Sequence, residues 1–132
     1  MNPNTRSVIE AAFTASHEGR LHFGEVVERL LGVQVESYHV DYRAGRATYY
    51  LADDSTLDLG FERPGEAIAR DFDDNAMRAA IAGAQQGRVM YPEFKLLSQR
   101  AGCVGYTVWI AGRRVTYSGR RGESHVECFP QR

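Results

Sequence analysis

The chain has 132 residues, 43% hydrophobic and 25% charged, with 16 Lys and Arg against 17 Asp and Glu. That length suits one compact domain of ordinary soluble composition, and no apolar run approaches the ~20 residues of a membrane span. A net charge of −1 and a pI near 6.4 argue against a dedicated nucleic-acid binder; two cysteines suit a reducing compartment, so a cytoplasmic location is expected.

The first residues, Met1 to Arg6, lack the basic-then-apolar pattern of a signal peptide. Ser7 and Glu10 fit a capping box, with Ser7 as N-cap, ahead of Val8, Ile9, Ala12 and Phe13 at helical spacing. Gly19 is a left-handed stop. His17 and His22, on either side of it, read as surface residues. A second short helix is predicted over about 24–31, with Val26, Val27, Leu30 and Leu31 on its apolar side. The period then switches to two: Tyr38, Val40 and Tyr42 face one way, His39 and Asp41 the other. Arg43 to Arg46 reads as a hairpin turn with Gly45 at positive φ, followed by strands over 47–51 and 56–60. A linker over about 62–72 contains the breaker Pro64-Gly65.

Asp73 or Asp74 caps a third helix carrying Met77, Ala80, Ile81 and Ala84, which Gly87 stops. Pro92 opens a fourth helix with Phe94, Leu97 and Ala101. Three strands are predicted over 103–110, 115–118 and 123–129, with Gly112 and Gly122 in the turns. Gly102 and Gly105 are read as letting a helix pack closely on the sheet. Cys103 and Cys128 are read as buried free thiols.

The second half repeats the first. Residues 11–61 align with 79–129 without a gap at an offset of 68, and the identities include Gly19/Gly87, Tyr38/Tyr106, Val40/Val108, Thr48/Thr116, Tyr49/Tyr117 and Phe61/Phe129. A unit of ~60 residues is near the lower limit for folding alone, so the halves are expected to share a core. The expected fold is α+β: one domain over 1–132, built by internal duplication of a helix-helix-strand-strand-strand unit (about 5–61 and 73–129). It has about six mainly antiparallel strands, four helices and a pseudo-twofold axis.

Duplication supplies an internal control, because each position has a partner. The matched tyrosines are assigned to the core, and sites are sought where partners differ. Leu57 and Leu59 align with His125 and Glu127. A His and a carboxylate two residues apart on a strand share a face, and the carboxylate can orient the imidazole as a general base. A one-residue slip would send both to solvent instead. His39 and Asp41 form a second such pair. If all four converged they could hold Zn²⁺ or Fe²⁺, though no HExxH or CxxC spacing supports a metal and no cofactor is expected. The second hairpin carries Arg113, Arg114, Arg120 and Arg121 where the matching stretch, residues 44–54, has one arginine and two aspartates, making these four the candidates for an anion site. Charge follows the same division: 6 Arg against 11 Asp and Glu in residues 1–66, and 10 Lys and Arg against 6 in residues 67–132.

The runs Tyr38-His39-Val40-Asp41, Gly102-Cys103-Val104-Gly105-Tyr106, Gly112-Arg113-Arg114-Val115-Thr116-Tyr117 and His125-Val126-Glu127-Cys128-Phe129-Pro130 resemble those of the YbcV-like family. These are uncharacterised bacterial and prophage proteins often labelled "phage envelope protein". The resemblance implies a bacterial or prophage-borne soluble protein and supplies no reaction, cofactor or catalytic residue.

The leading expectation is a cytoplasmic binding or interaction domain for a small anionic ligand or a protein partner. An enzyme using His125 or His39, with Glu127 or Asp41 orienting it at the repeat seam, is the first alternative. A phage-associated protein acting by homo-oligomerisation is the second. No membrane association is expected.

Overall fold

The computed structural model describes residues 1–62 and 67–130, so the Pro64-Gly65 breaker lies outside the described residues. In chain order the elements are α1 (Pro3–His17), α2 (Phe23–Leu31), β1 (Val35–Asp41), β2 (Arg46–Leu51), β3 (Thr56–Gly60), α3 (Asp74–Gln85), α4 (Tyr91–Arg100), β4 (Cys103–Trp109), β5 (Arg114–Gly119) and β6 (Ser124–Cys128). The strands make one antiparallel sheet in the order β3-β2-β1-β4-β5-β6. Two three-stranded meanders therefore join edge to edge, through β1 and β4. This is the α+β fold expected from the periodicities.

The join is symmetric in sequence number. The β1–β4 register runs from Ser37↔Trp109 to Asp41↔Gly105 and is centred on His39↔Thr107, two residues 68 apart. The described residues with positive φ obey the same offset: Gly19 and Gly87, Gln34 and Gly102, Gly45 and Arg113, Asp54 and Gly122. Left-handed backbone is costly for any residue with a Cβ, by about 1–2 kcal/mol. Its appearance at four matched pairs, three of them holding one glycine and one non-glycine residue, means that the chain path demands it. In the second hairpin Gly112 lies in the turn and the left-handed position falls on its neighbour Arg113.

Helix starts follow local chemistry. Asn2, not Ser7, caps α1: its Oδ1 accepts from the Thr5 N–H at 2.7 Å, and Pro3 occupies the first turn, where no amide is needed. Ser7 lies one turn inside the helix, exposed. Asp73 caps α3 by accepting from Ala76 N–H at 3.0 Å. Pro92 sits in the first turn of α4, as expected.

Sheet residues alternate. Tyr38, Val40, Ala47, Tyr49, Leu57, Tyr106, Val108, Val115 and Tyr117 are buried beneath the helices. The opposite face carries His39, Thr48, Asp58, Thr107, Thr116 and Val126 as one cross-strand row. Each large apolar side chain placed under the helices contributes about 1.5–3 kcal/mol. Tyr42 is fully buried, and its hydroxyl lies 2.8 Å from Ser98 Oγ. Since Ser98 donates to the Lys95 carbonyl at 3.0 Å, Tyr42 is the donor to Ser98. Cys103 is buried and Cys128 exposed, both as free thiols, so the expectation for Cys128 is corrected. Cys128 falls on the outward phase of an edge strand.

The segment before α3 is pinned by backbone hydrogen bonds, Ala69 N–H to Gln99 O at 3.0 Å and Asp73 N–H to Ala101 O at 2.7 Å. Gly102 and Gly105 admit backbone rather than a helix. A Cβ on Gly102 would strike the Asp71 carbonyl, and one on Gly105 would lie 2.5 Å from Val40 O of β1. Gly102 and Gly122 both have positive φ, but nothing lies within 4 Å of a Cβ at Gly122. Gly122→Ala is therefore expected to cost about 1–2 kcal/mol, the conformational penalty alone. Gly102→Ala should cost about 3–5 kcal/mol, because backbone must also move. Urea midpoints at constant m-value measure the difference.

Candidate functional site

Between the helices and the sheet lies a cavity of about 90 Å³. One water needs about 10–15 Å³, so the space exceeds a single solvent molecule several-fold. Its floor is the tyrosine quartet Tyr38, Tyr49, Tyr106 and Tyr117, two pairs related by the offset of 68. Phe13 and His17 of α1, Val26 of α2, Ile81 and Ala84 of α3, and Tyr91 and Phe94 of α4 form the roof. Exposed lining residues (His22, Gln85, Cys128 and Pro130) mark where it opens, with Glu127 and Phe129 beside them. Both halves contribute, so the cavity sits on the seam.

One polar atom in this wall lacks a partner among the described residues. His17 packs against Phe13, Tyr91 and Phe61, with ring centroids 4.1, 4.9 and 5.4 Å away. Its Nδ1 is 2.9 Å from the Phe13 carbonyl and must donate there, which leaves Nε2 as an acceptor. Nε2 is buried and unpaired among the described residues, while the Tyr91 hydroxyl lies with those of Tyr42 and Tyr106. A group like Nε2 costs about 1–3 kcal/mol when left unsatisfied. Burial pulls the His17 pKa down, assisted by the Lys95 charge and opposed by the hydrogen bond to Phe13. Neutral imidazole is thus the folded form. Burial also pushes Tyr91 up to about 12 and holds Tyr38, Tyr49, Tyr106 and Tyr117 above the ordinary tyrosine value. The hydroxyls stay protonated, so they exchange hydrogen bonds and do not act as bases.

The residues singled out from sequence lie around this cavity or away from it. His125 and Glu127 keep the ungapped register: both point to the helix side, while Val126 and Cys128 point out. His125 is 12% exposed, with Nε2 3.0 Å from Glu127 Oε1 and Nδ1 3.3 Å from Asp74 Oδ1. Asp74 comes from α3, so the triad ties the edge strand to a helix. Glu127 borders the cavity, but both nitrogens of His125 are already engaged by carboxylates, leaving none to take a proton from a substrate.

His39 and Asp41 sit on the opposite, open face of the sheet. His39 Nδ1 pairs with Thr107 Oγ1 at 2.8 Å, and Asp41 accepts from the Arg43 and Ala44 N–H groups at 3.0 Å each, closing the hairpin. The four residues therefore do not converge, because the two pairs fall on opposite sheet faces. No group of three or more His, Cys, Asp or Glu among the described residues is placed to hold a metal.

The arginines are likewise divided, at the two ends of β5. Arg113 lies over the Phe129 ring at 5.5 Å and donates to Pro130 O at 3.3 Å, while Arg114 is exposed on the open face. Arg120 donates to the carbonyls of Ile68 at 3.0 Å and Ala69 at 3.4 Å; Arg121 pairs with Asp71 at 3.1 Å. These two hold the segment before α3, which has no counterpart in the first half. They form no common anion site, and among the described residues no Lys or Arg lines the cavity.

Sequence reasoning passed over the residues that shape the cavity. His17 was assigned to the surface and is instead packed among three aromatic rings. The quartet was assigned to plain core. The available signal was tyrosine rather than phenylalanine at four buried positions, since a buried hydroxyl calls for a partner.

A family model described as "Protein of unknown function (DUF1398)" matches residues 11–126. No curated protein matches the chain. No helix among the described residues is long and apolar enough to cross a membrane.

The buried His17 has a consequence for pH dependence. Its folded pKa lies below the unfolded value of 6.5, so below pH 6.5 the unfolded chain binds the proton first. Stability contributed by the neutral ring is intact above pH 6.5 and is lost as pH falls through the folded pKa. His17→Gln, which installs the residue found at position 85, is expected to flatten this part of the profile. Urea titrations of both proteins between pH 7.5 and 5 measure it, and parallel curves would contradict it.

Proposed function

We propose, for a chain that belongs to the DUF1398 family of proteins of unknown function, a role as a binding domain for a small, largely apolar molecule. The observation that carries the reading is the cavity. Its walls are mostly apolar and aromatic, with a few polar atoms, of which His17 Nε2 is buried and unpaired among the described residues. Ligand sites have this composition, whereas ordinary cores close such spaces. An anionic ligand does not suit a wall that holds no Lys or Arg among the described residues and is bordered by Glu127. The enzyme reading is less supported: Asp74 and Glu127 face both nitrogens of His125, and its other candidate base, His39, stands on the open sheet face away from the cavity. We take the matched left-handed positions as the mark of an internal duplication, the C-terminal motif as the link to YbcV-like members, and the cytoplasm as the working compartment.

A fragment library screened by backbone amide shifts is expected to yield hits mapping to Tyr38, Tyr91 and Tyr106. Dissociation constants of about 0.1–1 mM are typical of such small ligands. Ala84→Phe, which fills the cavity from α3, should abolish them while leaving the circular dichroism spectrum unchanged. A library without hits, or hits undiminished in the folded variant, would refute the reading.

The open sheet face supports a second reading, self-association. Tyr50, Trp109 and Val126 stand 44%, 45% and 48% exposed there, with a Thr-rich row between them. On this reading sedimentation gives a mass that rises with concentration, and Trp109→Ser restores the monomer. A constant monomer mass up to millimolar protein would dismiss it.

A further inference from the structure

We infer that the cavity takes an uncharged, single-ring aromatic molecule carrying one hydrogen-bond donor, and that His17 reads the donor. The inference rests on the cavity being a ligand site, as proposed above.

Size sets the first limit. The volume, about 90 Å³, is of the same order as the ~150 Å³ engineered cavities that take up benzene. One ring fits, and a fused polycycle does not. The wall sets the second. Tyr38 stacks on Tyr49 at 5.2 Å and Tyr106 lies 5.7 Å from Tyr117, so the floor offers ring faces and edges to a flat guest. Aromatic pairs gain from such arrangements beyond the area they bury.

Polarity sets the third. The Phe13 carbonyl fixes the proton of His17 on Nδ1, so Nε2 presents a lone pair and cannot donate. A guest O–H or N–H satisfies it. The Tyr91 hydroxyl lies with those of Tyr42 and Tyr106, so His17 is the acceptor left for a guest. A phenol meets its need. A carboxylate does not: it has no donor for Nε2, no Lys or Arg among the described residues lines the cavity, and Glu127 stands beside the opening. The site also chooses one orientation. The position equivalent to His17 at the offset of 68 is Gln85, which is exposed, so among the described residues the unpaired buried acceptor stands on one side of the floor.

The test titrates phenol, toluene and benzoate into the full chain, following amide shifts. Phenol is expected to bind at least as tightly as toluene, although its hydroxyl is costlier to withdraw from water. Benzoate should bind more weakly than either. In His17→Phe, which keeps a ring in place, phenol should weaken about tenfold while toluene changes less than twofold. His17→Leu, which removes the acceptor and keeps an apolar side chain, should weaken phenol relative to toluene in the same way and serves if His17→Phe does not fold. Toluene or benzoate binding more tightly than phenol, or phenol unaffected in a folded variant, overturns the inference while leaving the cavity a ligand site. If none of the three binds and the fragment library above yields hits in the cavity, the inference alone falls. If that library is silent too, both readings fall.

Discussion

Everything in this fold depends on the pairing of β1 with β4. Each meander alone would have one apolar face and two open edges, on about 60 residues, too few for a secure core. Pairing Ser37–Asp41 with Gly105–Trp109 turns two short sheets into one of six strands and lays their buried faces side by side. The helices can then share a single core. Close approach at the join requires Gly105, whose hydrogen faces the Val40 carbonyl where any side chain would collide. The centre of the pairing, His39 opposite Thr107, lies on the open face, where the two side chains bond to each other. The seam is thus closed by backbone on both sides and by one polar pair at its midpoint.

The periodicities made the architecture legible, because burial on one face imposes them. Alternation through Tyr38, Val40 and their partners located the strands, and glycine positions located most of the turns. Legibility failed where backbone and side chain separate. Gln34, Asp54 and Arg113 adopt left-handed conformations that their residue types do not advertise. Only their partners Gly102, Gly122 and Gly45 reveal that the path requires it. The start of α1 was misread for a local reason: Ser7 and Glu10 match a capping pattern, but Asn2 followed by Pro3 is available earlier and extends the helix by a turn.

The candidate site was less legible than the fold, and the reason lies in the comparison of halves. Positions that differ between halves read as functional in the sequence, yet most serve features that one half has and the other lacks. Arg120 and Arg121 hold the segment leading into α3. His125 and Glu127 fasten β6 to that helix. Meanwhile the matched tyrosines, assigned to packing because they match, surround the cavity. A cavity that draws its walls from both halves hides, at its floor, among the matched tyrosines. His17, opposite Gln85 at the offset of 68, is one of the lining positions where the halves differ.

The location of the cavity also bears on how the protein opens. The strand pairings within each half are local, hairpin by hairpin, and form quickly. The β1–β4 pairing spans the halves and closes the cavity at the same time. A molecule bound there bridges both halves and by mass action disfavours every state in which they have parted. Its imprint on amide hydrogen exchange therefore concentrates on the middle of the sheet, at β1 and β4, and fades toward the edge strand β3, which contributes no residue to the cavity wall.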